Sequence, residues 1–121
     1  MINHVPDLER CKRLMEMGFP QETEFYWATD NADAFWIVHK SSHDYMWQDT
    51  PYAAPIVTEL LAEIRRFLPS GENDAIVDVL VMALYGDGTW DINSMTYVDH
   101  HADTLPNALS DLWCWLRERA T

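Results

Sequence analysis

The fold of this chain is decided by the stretch Asp103-Thr104-Leu105-Pro106-Asn107-Ala108-Leu109-Ser110-Asp111-Leu112-Trp113-Cys114-Trp115-Leu116. Either Asp103 or Thr104 can cap the start of a helix, and Pro106 stands in the first turn, where its missing N–H costs nothing. The apolar side chains then recur at helical spacing, at Leu105, Ala108, Leu109, Leu112 and Leu116. The stretch therefore predicts a helix whose apolar stripe faces the core.

The end of this helix carries two tryptophans and a cysteine. The spacing predicts Trp115 beside the core, Trp113 on the flank of the stripe, and Cys114 on the opposite, more exposed side. Full burial of the stripe and one indole would contribute roughly 10 kcal/mol of gross hydrophobic free energy. Because net stabilities are about 5–15 kcal/mol, we expect loss of this helix to unfold the domain.

Two further helices are predicted upstream. Residues 7–17 begin at the N-cap residue Asp7 and end at Gly18 in a left-handed conformation, and Cys11 on the apolar face is expected in the core. The second helix lies between Pro55 and Pro69. It has a solvated back that includes Glu59, and an apolar stripe of Val57, Leu60, Leu61, Ile64 and Leu68.

Aromatic and β-branched residues predict strands in two places. Residues 23–29 and 34–39 flank a polar turn and form the first hairpin. Residues 75–85 fit both a helix and a strand, but Gly86-Asp87-Gly88 and the alternation after it favour a second hairpin. The fold class expected is α+β, as one domain over residues 1–121 in the order α-β-β-α-β-β-α. In this fold an antiparallel sheet of about four strands packs against the helices.

The charge balance limits the partners that this chain can have. Twenty acidic residues against eight basic ones give a net charge of −12, and no Lys or Arg lies between Arg66 and Arg117. Such a chain repels phosphate backbones, so direct nucleic-acid binding is not expected. A basic protein partner is electrostatically favoured, although an acidic surface can also serve solubility alone.

The sequence shows no signal for membrane insertion or for secretion. No stretch is long and apolar enough for a transmembrane helix, and the N-terminus lacks the basic-then-apolar pattern of a signal peptide. The two cysteines, Cys11 and Cys114, match neither a metal-binding motif nor a disulfide framework. We therefore expect a cytoplasmic protein.

A binding surface is predicted in two parts. Residues 40–51 read as a long loop whose Tyr45 and Trp47 either contact a partner or fold onto the edge of the core. Acidic residues after the second helix supply the other part of this surface, namely Asp87, Asp91, Asp99 and Asp103.

An alternative hypothesis is a metal site made of Asp99, His100, His101 and Asp103. Neighbouring side chains on an extended segment point to opposite faces, which works against both histidines reaching one ion. The competing interpretation is a polar loop in which Asp103 caps the last helix. No nucleophile motif or phosphate-binding loop is found, and no cofactor is expected.

Three separated blocks of the chain together resemble small proteins of tailed phages and prophages that have no assigned activity. The blocks are Leu8 to Trp27, Ala54 to Leu61, and Asp103 to Leu116, with motifs such as Gly18-Phe19-Pro20-Gln21-Glu22 and Asp103-Thr104-Leu105-Pro106-Asn107. The resemblance implies a mobile-element origin and a compact α+β fold, and it implies no catalytic residue.

The preferred functional hypothesis is a non-enzymatic acidic interaction module. In its narrower form it is an inhibitor that binds a basic, nucleic-acid-handling host protein. One alternative is a metal-assisted hydrolase that uses the Asp99–Asp103 loop. The other is a homo-oligomeric structural module in which Trp113 or Trp115 is buried between chains.

Overall fold

The computed structural model describes residues 2–29, 34–41, 49–67, 80–94 and 100–120. In chain order these residues form a 3-10 turn (Ile2–His4, the N-terminal turn), α1 (Leu8–Glu16), β1 (Phe25–Thr29), β2 (Phe35–His39), β3 (Asp49–Ala54), α2 (Val57–Arg65), β4 (Leu80–Leu84), β5 (Trp90–Ser94), β6 (His100–Ala102) and α3 (Leu105–Arg119). None of the helices in these ranges is long and apolar enough to cross a membrane.

The strands form two antiparallel three-stranded sheets, with the orders β2-β1-β3 and β4-β5-β6. The expected α+β class is confirmed, but the expectation of one four-stranded sheet is wrong. Two strands were missed because each lies in a segment predicted as a loop. β3 contains Pro51, which an edge strand tolerates, and β6 is only three residues long.

Both predicted hairpins are present. β1 and β2 pair from Phe25 with His39 to Thr29 with Phe35. β4 and β5 pair around a turn in which the Gly88 N–H donates to the Tyr85 carbonyl at 3.0 Å, and Gly88 has a φ of +89° that a side chain would strain. The strand interpretation of residues 75–85 holds for 80–84, and residues 75–79 lie outside the described ranges.

α1 forms as its sequence predicts. The Arg10 N–H donates to Asp7 Oδ1 at 2.9 Å, which is the N-cap bond. Gly18 has a φ of +92°, and the N–H of Phe19 turns back to the Leu14 carbonyl at 2.9 Å. Cys11 is fully buried, which confirms its core role; burial also raises the pKa of its thiol to about 12.

Glu59 links α2 to Glu24, the residue before β1, so its predicted solvent-facing role is wrong. Its Oε1 accepts the N–H of Ile56 at 2.9 Å, and its Oε2 accepts the N–H of Glu24 at 3.0 Å. An isoleucine side chain cannot cap a helix start, so the Glu59 carboxylate satisfies the donor from inside the first turn.

α3 is the central element, in contact with α1, α2, β5, β6 and the N-terminal turn. The prediction of a single buried stripe is wrong in detail. Trp113 is buried and meets Phe19 edge-on at a centroid distance of 5.0 Å, whereas Trp115 is only half-buried. Cys114, expected to be the more exposed cysteine, is 1% exposed. Because helices and strands cover α3 on several sides, helical spacing alone could not separate an inner from an outer face.

Candidate functional site

A cleft opens at the N-terminal end of α3, where the N-terminal turn, the start of α2 and the β4–β5 turn meet. Its main cavity has a volume of about 320 Å³. We call it the α3-start cleft and define it by Asn3, His4, Trp90, Asp103 and Thr104, which line it together with Val57, Gly88, Leu105 and Pro106. A smaller cavity of about 210 Å³ shares Asn3, Asp103 and Thr104 with it.

The local sequence places Asp103 in this cleft. β6 ends at Ala102, and Thr104 adopts an extended conformation as the N-cap of α3. The Thr104 Oγ1 accepts the N–H of Asn107 at 3.2 Å. Of the two cap candidates Thr104 is therefore the cap, and Asp103 stays one residue outside the helix with an exposed side chain.

Asn107 joins the cleft to α1. Its Nδ2 donates to Asp103 Oδ1 at 2.8 Å, and its Oδ1 accepts the N–H of Asp7 at 2.8 Å. The side chain is almost fully buried, so both bonds hold the start of α1 beside the start of α3. Sequence reasoning missed this role, because one polar residue in an apolar helix gives no sign of which neighbour will face it.

Arg10 extends the same polar network along the helix pair. Its Nε and Nη2 donate to the two carboxylate oxygens of Asp111 at 2.9 and 3.0 Å, and its Nη1 donates to Asp7 Oδ2 at 2.6 Å. The hydrogen bond to Asp111 is the main cause that raises the pKa of Arg10. Asp7 and Asp111 are therefore used inside the fold and are compensated by a cation.

Asp103 and Asp87 are ionised at neutral pH, because hydrogen bonds lower the pKa of each. The hydrogen bond from Asn107 is the main cause that lowers the pKa of Asp103. At the adjacent β4–β5 turn, the Thr89 hydroxyl and N–H donate to Asp87 Oδ1 at 2.7 and 3.0 Å, and they lower the pKa of Asp87. The described residues that line the two cavities include Asp7 and Asp103 and no Lys or Arg, so a negative potential is expected there. Arg10 pairs with Asp7 and also helps to lower the pKa of Asp103.

The structure brings together only part of the predicted acidic surface. Asp103 lines the cleft, and Asp87 is exposed in the turn next to Gly88, which also lines it. Asp91 is buried in β5, paired with His101 of β6, and does not line the cleft. Tyr45, Trp47 and Asp99 lie outside the described residues.

The described members of the alternative metal site point to three different neighbours. The His100 ring packs on Trp115 at a centroid distance of 5.9 Å, and the His101 ring packs on Tyr85 at 5.8 Å. Asp103 is bonded to Asn107. Across the described ranges no group of three His, Cys, Asp or Glu side chains is arranged to hold a metal ion.

His4 and Trp90 are cleft residues that the sequence did not single out. His4 belongs to a turn of only three residues, and Trp90 opens a strand that was already assigned. Only the packing of the N-terminal turn against the start of α3 brings the two side chains to one cavity.

Comparison of this chain with protein-family models, with curated proteins and with solved structures finds no match.

Proposed function

We propose that this protein is a non-enzymatic interaction module that binds a basic partner protein through the α3-start cleft. The observation that carries this proposal is an ionised carboxylate, Asp103, in a cleft whose described lining contains no Lys or Arg. In a chain with a net charge of −12, such a site attracts cationic surfaces over long range at low salt.

The placement of the basic residues supports the same conclusion. Most of them have partners within the chain, and none of those in the described residues lines the cleft. Carboxylates lie within 3.5 Å of five of them, namely Arg10, Lys12, Arg13, Lys40 and Arg66. At the far end of α3, Arg117 donates to the Met17 carbonyl at 3.2 Å, and the Arg119 guanidinium lies 4.5 Å from the centre of the Trp115 ring.

The narrower form of the proposal is an inhibitor of a nucleic-acid-handling host enzyme. The resemblance to phage and prophage proteins motivates it, and a nucleic-acid groove is a common basic surface. The same negative potential disfavours direct binding of nucleic acid to the cleft.

The two alternative functions have less support among the described residues. The hydrolase hypothesis needs ligands that converge, and His100, His101 and Asp103 contact different neighbours. The oligomer hypothesis needs Trp113 or Trp115 between chains. Trp113 is 3% exposed inside its own chain, and the half-buried Trp115 contacts His100 and Arg119.

The test is affinity capture from a host lysate with three forms of the protein over a salt series. The unmutated chain should retain a basic partner at about 50 mM salt and release it by about 300 mM, because screening shortens the range of the attraction. Asp103→Asn should weaken capture, since it removes the charge while keeping an oxygen that accepts from Asn107. The matched control is Glu16→Gln, which removes an exposed charge at the end of α1.

Two results would contradict the proposal. One is a retained partner whose binding is indifferent to salt. The other is equal capture by Asp103→Asn and Glu16→Gln, which would attribute the binding to net charge and not to the cleft.

A further inference from the structure

The wall of the α3-start cleft combines an aromatic ring, aliphatic groups and one carboxylate. Trp90 is half-buried there, and Val57, Leu105 and Pro106 complete the apolar part. Asp103 supplies the charge. The volume of about 320 Å³ far exceeds the roughly 10–15 Å³ that one water molecule needs, so a side chain can enter.

The start of α3 is closed to anions, although helix N-termini commonly bind them. Thr104 Oγ1 already accepts the N–H of Asn107, and Pro106 has no N–H, so two of the first three helical donors are unavailable. The helix start contributes a partial charge of about +0.5, against one full negative charge on each of Asp103 and Asp87. A cation is therefore the favoured occupant.

The oxygens of Asp103 indicate which kind of cation fits. Oδ1 accepts a hydrogen bond from Asn107 Nδ2 at 2.8 Å, and the backbone N–H of Thr104 also helps to lower the pKa of Asp103. Among the described residues no side chain donates to Oδ2. A guanidinium binds a carboxylate best through two parallel bonds, whereas an ammonium acts as a point charge. A divalent metal ion needs several ligands, and across the described residues no three His, Cys, Asp or Glu side chains are grouped to hold one.

From these features we infer that the α3-start cleft binds an alkylammonium group, the end of a lysine side chain of the partner, with the ammonium on Asp103 Oδ2 and the methylenes against Trp90. The inference rests on the proposed function and specifies its recognition element. An indole face attracts an ammonium as well as its methylene stem, so Trp90 contributes to both parts of the ligand.

The experiment is a chemical-shift titration of the ¹⁵N-labelled full chain with small probes. The first probe is lysine with blocked amino and carboxyl termini, and its neutral counterpart is the norleucine analogue. Blocked lysine should shift the Trp90 indole and the Asp103 and Thr104 amides and bind in the millimolar range, whereas norleucine should cause no saturable shift. Blocked arginine should bind at least about fivefold more weakly than lysine, because the bond from Asn107 to Oδ1 hinders the two parallel bonds that a guanidinium prefers.

Two variants separate the cleft from the general charge of the protein. Asp103→Asn should weaken lysine binding at least about tenfold, while Glu16→Gln should leave it unchanged. His4→Lys places an ammonium at the cleft from within the chain and should abolish binding of the probe. Because His4 is exposed, this second variant keeps the test valid if Asp103→Asn unfolds the protein.

Titration with a free diamine, 1,4-diaminobutane, distinguishes a site for a lysine side chain from a site for a small free amine. Weaker binding of the diamine than of blocked lysine is expected, and tighter binding would overturn the assignment to a lysine side chain. No localised shift with any amine would also overturn the inference. If lysate capture still depended on Asp103 in that case, the proposed function would stand without this recognition element.

Discussion

The two ends of α3 use their charged residues in opposite ways. At the C-terminal end, Arg13 pairs with Glu118 at 2.9 Å, and Arg117 and Arg119 contact a carbonyl and an indole ring. At the N-terminal end, Asp103 is ionised beside a cleft whose described lining holds no Lys or Arg. The difference is that the basic residues at the C-terminal end have partners within the chain, whereas the described lining of the cleft contains a carboxylate and no basic residue.

Burial distinguishes Trp113 from Trp115, the two tryptophans in the C-terminal half of α3. Trp113→Ala should lower the free energy of unfolding by about 3–5 kcal/mol, because it removes a buried ring that packs on Phe19 and Phe67. Urea unfolding measures this loss. Trp115→Ala is the matched control and should cost clearly less, since Trp115 is only half-buried. Equal losses would contradict the inner position of Trp113.

Asn107 anchors the N-terminal end of α3 through two hydrogen bonds. Its removal should lower the free energy of unfolding by less than the removal of Trp113. Asn107→Ala leaves the N–H of Asp7 without its acceptor and Asp103 without its donor, so the expected loss is about 1–3 kcal/mol. The control is Asn3→Ala, where the asparagine is exposed, and its effect should stay within about 0.5 kcal/mol. Chemical denaturation of both variants would show whether Asn107 is the anchor, and a neutral Asn107→Ala would refute it.

The contribution of each ion pair between α1 and α3 to the free energy of unfolding should fall as the exposure of the pair rises. Arg13→Gln should change the free energy of unfolding by about 0–1 kcal/mol, because the Arg13 and Glu118 side chains are 49% and 53% exposed. Arg10→Gln should cost more, since Arg10 and Asp111 are 29% and 25% exposed and form two parallel bonds. Denaturation curves that rank Arg13 above Arg10 would contradict this reading of the helix pair.

Acidification should remove the contribution that Asp103 makes to stability at the N-terminal end of α3. The pKa of Asp103 is lowered below its ordinary value of 3.8, so the folded chain holds that proton less tightly than the unfolded chain. The contribution of Asp103 to stability is therefore present above pH 3.8 and is lost as the pH falls through its folded-state pKa. Thermal unfolding between about pH 5 and 3 should show a smaller acid loss for Asp103→Asn than for the unmutated chain. Parallel losses in the two proteins would exclude this contribution.

Local signals in the sequence predicted the helices and hairpins well. Asp7 and Gly18 act through bonds to residues a few positions away, so their roles as cap and stop could be predicted without knowledge of the fold. For α3 the sequence left Asp103 and Thr104 as alternatives, and the structure identifies Thr104 as the cap. The strands β3 and β6 escaped prediction because a proline and a length of three residues remove the usual pattern. Pairing with β1 and β5, which is not local, makes them strands.

The candidate site likewise combines features set by local sequence with features set by tertiary packing. The sequence by itself determined the acidic balance, the start of α3 and the choice of Asp103 as a residue of interest, because composition and capping are local properties. Only the tertiary structure decided that Asn107 binds Asp103 and Asp7, that His4 and Trp90 reach the same cavity, and that Trp113 lies inside. Those facts depend on which elements pack around α3, and helical spacing contains no information about how many sides of a helix are covered.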